Sequence, residues 1–312
     1  MKTTFTQIGV GPLCELFGKT RHAYYDKLWY QQKSYSDHQV VMELLLQLKR
    51  EAPGLGTPTI YKLIKQSLQS HNIKMGRIAL HNFRVKHGLV DKPRKKFVRT
   101  TDSYHHYRKY PNLIKGLTVD RVDLLWVCDI TYIRIAGGFL FLSLITDAYS
   151  HKIVGYHLHP SLATEGPLQA LHMALKSLDA LPEILIHHSD RGTQYCCLQY
   201  VQVLQSYGIR ISMTEKGDPY ENAVAERING ILKTIFNLQR TFKDQPQALE
   251  AIQRAVTFYN TIRPHTSIQD LTPAQAHTLT GDLKKLWKPK TYKQRQNNRQ
   301  IERKTIDNQN PV

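Results

Sequence analysis

The stretch "LLWVCDITYIRIAGGFLFLSLITDAYSHKIVGYHLH", residues 124–159, decides the reading of the fold. Three runs rich in β-branched and aromatic residues are separated by Gly137-Gly138 and by Ser150-His151. That spacing predicts three strands joined by tight turns, an antiparallel meander. Asp129 stands in the middle of the first run, among residues suited to a buried sheet. A charge there requires a metal, a partner or a ligand to offset its desolvation.

The pattern then alternates. "TEGPLQALHMALKSL" reads as a helix and "EILIHHSD", 183–190, as a buried strand with a polar end. "QYCCLQYVQVLQSYG" reads as one helix, "IRISMT" as a strand, and "ALEAIQRAVTFYNTI" as a late helix. A strand meander followed by helix, strand, helix and strand predicts an α/β protein with a mixed sheet. "DPYENAVAERINGILK", 218–233, is amphipathic at helical spacing. Val224, Ile228, Ile231, Leu232 and Ile235 form one stripe, while Asn222, Glu226 and Lys233 share the opposite face.

Upstream, residues 1–91 read as helical. Two short helical patterns flank Gly18-Lys19-Thr20, and "SDHQVVMELLLQLKR" predicts a new helix capped by Ser36 or Asp37. "GTPTIYKLIKQSL" predicts a helix with Thr57 as N-cap and Pro58 in the first turn. "IKMGRIALHNFRVKHGL" predicts a basic helix that stops at Gly88. Helix, turn and basic helix outline a helix-turn-helix, with Arg77, Arg84 and Lys86 as DNA contacts. An ordinary helical bundle with a basic face has the same periodicity, and the charge of the whole chain favours DNA. Residues 92–117 read as a basic linker and 118–283 as a mixed-sheet core with C-terminal helices. From 284 to 312 the chain reads as a basic, disordered tail.

The 312 residues carry 43 Lys and Arg against 25 Asp and Glu, a formal charge of +18. A surplus of this size favours a polyanionic partner, nucleic acid first. No apolar run approaches the ~20 residues of a membrane span, and the N-terminus lacks a signal-peptide core. Cys14, Cys128, Cys196 and Cys197 fit neither a zinc site nor a disulfide framework. They read as reduced thiols of a cytoplasmic, nucleoid-associated protein.

Against this basic background three acids stand out. Asp129 is mid-strand, Asp190 ends a strand, and Glu226 follows Asp190 with 35 residues between. Strands one and four of such a sheet can lie side by side with the Glu226 helix across their ends. Each acid alone can cap a turn or pair with an arginine. Together they can converge on one or two divalent cations, Mg²⁺ or Mn²⁺, and so support in-line phosphoryl displacement. Asp147 reads as a structural turn acid.

"WVCDITYI", "HHSDRGTQY", "SMTEKGDPYENAVAER" and "FYNTIRPHTSIQDLTPAQA" resemble the signature segments of retroviral-integrase-type transposases with an Asp–Asp–Glu site. They are most similar to the second-frame (OrfB) products of bacterial insertion sequences. The resemblance runs in order from about 36 to 280, and it includes the 35-residue gap and the basic residue seven after the glutamate. It implies a ribonuclease-H-like core, Mg²⁺ dependence and DNA strand transfer. It implies Asp129, Asp190 and Glu226 as metal ligands and Lys233 as a contact to element-end DNA. Asn222 shares that DNA-facing role, and His188 has a supporting one because it shares Asp190's side of its strand. Tyr259, Asn260, Arg263, Pro264 and His265 match the family's C-terminal motif, which reads as packing against the catalytic helix. Two departures stand out: "GLGTPTI" replaces a Tyr-Gly-x-Arg-Arg-like stretch, and Glu221 replaces an Asp before Asn222.

The function expected is therefore a transposase that nicks at element ends and joins the freed 3′-OH to target DNA. Its expected partners are transposon-end and target DNA, further copies of itself, and a first-frame (OrfA) product. A nuclease or resolvase on the same fold, or a non-catalytic DNA-binding regulator, are the alternative readings.

Overall fold

The computed structural model describes residues 7–90, 106–215, 222–284 and 286. Outside them lie the linker up to 105, the start of the 218–233 segment with Glu221, and nearly all of the tail expected from 284. Two compact units are present: Met1–Arg99 with Ile231–Arg240, and Thr100–Gly230 with Thr241–Val312.

The first unit is helical. Helix α1 spans Val10–Leu16, α2 Arg21–Glu51, α3 Thr57–Ser70 and α4 Arg77–Lys86. The Thr20 side chain accepts from Ala23 N–H at 3.1 Å, so α2 starts at the expected turn. It then runs through Ser36 and Asp37 without a break, in place of the two helices expected. A cap requires the chain to leave helical dihedrals, and no Gly or Pro between 21 and 51 forces it to do so. Gly56, not Thr57, is the N-cap of α3. Val41 and Leu45 of α2, Ile60, Ile64 and Leu68 of α3, and Leu80 and Phe83 of α4 are buried in this unit. Gly88 ends the α4 segment at φ +65°, a conformation that favours glycine.

The second unit is built on a five-stranded sheet. Its strands are β1 Leu125–Ile135, β2 Gly138–Asp147, β3 Ile153–His159, β4 Ile186–Ser189 and β5 Arg210–Met213, in spatial order β3-β2-β1-β4-β5. The meander β1-β2-β3 is antiparallel, as the glycine and serine turns predict, and β4 and β5 join in parallel. Asp147 ties the β2–β3 turn: it accepts from Ser150 N–H, Ser150 Oγ–H and Asp123 N–H at 2.7, 2.6 and 2.9 Å. That is the structural role read from the sequence.

Helices cover both faces. Helix α5, Glu165–Lys176, packs on β2 and β3. The single helix expected over 194–208 is instead two, α6 Thr193–Cys196 and α7 Leu198–Ser206, broken at Cys197 with ψ 152°. Tyr195 and Tyr200 are five residues apart, about 140° around a continuous helix. The break resets that phase, and both rings enter one core with Trp126, Cys128 and Leu171. Helix α8, Ala223–Ile235, carries Ala225 against Leu125, Val127 and Ile186 on the opposite face, and α9 spans Gln245–Thr261. A 3₁₀ turn at Thr266–Ile268 and α10, Pro273–Ala276, complete the unit. The last part of the expected linker belongs to this unit: Leu113 N–H donates to Ser212 Oγ at 2.9 Å, and Met213 N–H to Pro111 O at 3.3 Å. Among the described residues, no helix is long and apolar enough to cross a membrane.

Gly155 marks the closest backbone approach in the sheet unit. A Cβ at this position of β3 would collide with the Ala170 carbonyl oxygen and meet Ala174 Cβ at 3.0 Å. Overpacking of this kind costs about 1–3 kcal/mol. Gly155→Ala should therefore lower the unfolding free energy by that amount, seen as a lower urea midpoint at an unchanged slope, and a midpoint at the wild-type value would show that α5 can move off the sheet freely.

Candidate metal and nucleic-acid site

Strand register brings the first two acids together. In the parallel β1–β4 pair, Val127 lies opposite His188. Two residues further along each chain, the same register sets Asp129 beside Asp190. Alternation along the strands places both, with His188, on the face that carries α8.

Helix α8 is fastened to β1 by two asparagines. Asn222 Nδ2 donates to the Cys128 carbonyl at 3.0 Å, and Asn229 Nδ2 donates to Asp129 Oδ2 at 2.7 Å. Both residues are buried, at 7% and 6% exposure, whereas Glu226 between them is exposed in the first turn. Asn222, expected as a DNA contact, is thus committed to the sheet, because its amide satisfies a strand carbonyl. Asn229 was not singled out from the sequence, although the spacing 222, 226, 229, 233 continues the polar face and marks it.

The electrostatics of Asp129 follow from this packing. Burial raises its carboxyl most, and the negative charge of Asp190 raises it further. The Asn229 amide and the Ile130 N–H oppose that rise, Glu226 adds to it, and the result is about 7. Asp129 therefore senses both other carboxylates, Asp190 and Glu226. Each aspartate is steadied by a local donor: Asp129 Oδ1 accepts from Ile130 N–H at 2.9 Å, and Asp190 Oδ1 from Gly192 N–H at 3.0 Å. Among the described residues, no group of three His, Cys, Asp or Glu side chains is gathered tightly enough to hold a metal ion as it stands. The donors are all oxygen, and their mutual repulsion is what a hard divalent cation relieves, so the residues fit Mg²⁺ or Mn²⁺ by chemistry.

Support beneath the acids comes from two buried histidines. His188 Nδ1 lies 2.8 Å from Ser212 Oγ, on the acids' face. His187 points the other way, where its Nε2 is 2.8 Å from both Cys128 Sγ and Tyr200 Oη. Burial, and then the neighbouring His188, push His187 down to about 3, which keeps it neutral.

In the helical unit, Arg77 and Lys86 are exposed. Arg84 is not: it is 4% exposed, and its guanidinium donates to Thr57 Oγ1 at 2.6 Å and to the Leu55 and Leu89 carbonyls at 3.0 Å. This arginine joins the α3 start to the α4 end through both terminal nitrogens, and its burial sets it away from a DNA-contacting surface. Lys233 is half-buried near the end of α8.

The sequence is similar to those of known proteins. Models of the integrase core domain match residues 120–219 and 207–273. The insertion element IS600 31 kDa protein of Shigella sonnei is 32% identical over 268 residues, 84% of this chain and 96% of that protein. The transposase for insertion sequence element IS629, also of Shigella sonnei, is 31% identical over 275 residues, 86% of this chain and 92% of that one. Among solved structures, the HTLV-2 integrase catalytic core domain in complex with magnesium is 20% identical and covers 50% of this chain and 97% of its own, with a TM-score of 0.41. The chain belongs to the integrase-core transposases of bacterial insertion sequences.

The raised Asp129 carboxyl has a consequence for stability. Its folded value of about 7 lies above the unfolded value of about 3.9. Between those pH values the folded chain binds more protons than the unfolded one, so this group makes stability fall as pH rises. Asp129→Asn should raise the melting temperature in EDTA at pH 7 to 8 and flatten the decline between about pH 4 and 7. An unchanged profile would mean that Asp129 does not carry the crowded charge.

Proposed function

We propose that this chain cuts and joins DNA at the ends of its insertion sequence, using Asp129, Asp190 and Glu226 to hold divalent ions, Mg²⁺ with Mn²⁺ able to substitute. One observation carries the reading: the β1–β4 register sets mid-strand Asp129 beside Asp190, under the helix that bears Glu226, and burial with these charges pushes its carboxyl up to about 7. Natural cores avoid such crowding unless a site requires it. Bound there, the ions supply activation of the attacking oxygen and charge stabilisation at the leaving oxygen of a phosphodiester.

The chain's own residues divide the remaining work. Asn229 fixes one oxygen of Asp129 and so sets the orientation of the carboxylate. Asn222 pins the start of α8 to β1, which places exposed Glu226 over the strand that carries Asp129. His188 braces the strand that delivers Asp190 through Ser212. Arg77, Lys86 and Lys233 contact DNA phosphates and hold the element end. The partners are element-end and target DNA, further copies of the chain and a first-frame (OrfA) product, in the cytoplasm at the nucleoid.

Joining distinguishes this reading from a simple nuclease. With labelled element ends and Mg²⁺, wild-type protein should give both nicked and joined products on a denaturing gel. Asp190→Asn keeps the shape of the side chain and loses its charge, so both products should fall by ~10²–10³-fold, the range of losing one essential stabilising group. Its DNA affinity in EDTA should stay near wild type. Nicking without any joining by the wild-type protein would favour the nuclease, and near-normal joining by the variant would remove Asp190 from the chemistry.

A further inference from the structure

The loop after α9 gathers positive charge, and its acid, Asp270, forms no ion pair with Arg263 among the described residues. Arg263 Nη1 lies 2.8 Å from both ring nitrogens of His265. His265 is buried, its ring is edge-on to Tyr259 at 4.8 Å, and His151 approaches it at 6.2 Å. Ser267 Oγ closes the group, 3.3 Å from His151 Nδ1. Arg227, the residue after Glu226 on α8, is exposed and within electrostatic reach of both Arg263 and His265.

Every polar neighbour of Arg263 in this group is neutral or cationic. Among the described residues, no carboxylate lies within ion-pair distance of Arg263 or Arg227. Arg263 Nε and the Tyr259 hydroxyl are buried with no hydrogen-bond partner among those residues. His265 can only accept from an arginine while neutral. Burial, then the charges of Arg263, His151 and Arg227, push it down to about 2, so it accepts throughout the physiological range. A half-buried guanidinium beside a second one, with no counter-charge, is costly unless an anion completes it. The planar fork of arginine matches the oxygens of a phosphate.

We propose that Arg263 and Arg227 together hold a phosphate group, the phosphodiester of a DNA strand that passes along the α9 flank of α8 beside Glu226. His265 is a positioning residue: it fixes one arm of the Arg263 guanidinium and leaves the rest of the fork to the anion. The proposal rests on the reading of the chain as a DNA-joining enzyme, and it adds which side of the Glu226 helix the strand follows.

The test uses the full chain in EDTA, so that metal binding plays no part. Fluorescence anisotropy with a mixed-sequence duplex is measured across a salt series for wild type, Arg227→Gln, Arg263→Gln and Arg263→Lys. Each glutamine variant should lose affinity several-fold and reduce the salt slope by about one. Arg263→Lys should restore the slope but not the full affinity, because a point charge replaces the fork. In a second arm, inorganic phosphate at matched ionic strength should raise the melting temperature of wild type and not of Arg227→Gln, whose exposed side chain makes misfolding no explanation. Wild-type slopes in both glutamine variants, each shown to be folded by circular dichroism, would overturn the proposal. So would a phosphate effect on melting with DNA slopes unchanged, which would assign the site to free phosphate. Wild type that fails to bind the duplex at all would overturn the proposed function along with it.

Discussion

The hydrogen bond from Asn229 to Asp129 is the point on which the sheet unit turns. It joins the middle of the central strand to α8, and it does so through a carboxylate crowded by two other acids. The opposing effects are unequal. Burial and like charge dominate, and the two N–H donors only moderate them, which is why the carboxyl sits near neutrality and not in the usual acidic range. A fold that keeps this arrangement holds a destabilising group at its centre. Sites that bind cations account for such a cost, because the ion reverses the sign of the local field.

Much of this was legible in the sequence because it follows from short-range rules. The meander could be read from strands bounded by Gly137-Gly138 and Ser150-His151. The neighbourhood of Asp129 and Asp190 followed from pairing the first and fourth strands. The missed features depend on distant partners. Ser36-Asp37 resembles a cap in isolation, yet capping depends on the preceding chain leaving the helix, and it does not. Cys197 breaks a helix with no Gly or Pro to announce it, because two tyrosines compete for one core. Arg84 looked like one more basic residue, while the groups that bury it come from residues 55, 57 and 89. Asn222 looked outward for the same reason, since only the sheet reveals the carbonyl it serves.

The division of charge across the molecule fits a polynucleotide partner better than any single contact does. A chain of formal charge +18 sets Asp129 near Asp190 and Glu226 and leaves arginines at 227 and 263 without acids, among the described residues. Buried His187 adds no charge to the sheet, because burial and the neighbouring His188 push it down to about 3.

The central claim is that the crowded acids form a cation site through Asp129. Calorimetric titration of Mg²⁺ into the full chain at pH 7, in two buffers of different ionisation heat, tests it most directly. A carboxyl near 7 is about half protonated at that pH, so metal binding must release part of a proton. The account predicts binding whose heat depends on the buffer, with that dependence lost in Asp129→Asn. Absence of binding, or binding with the same heat in both buffers, would contradict it.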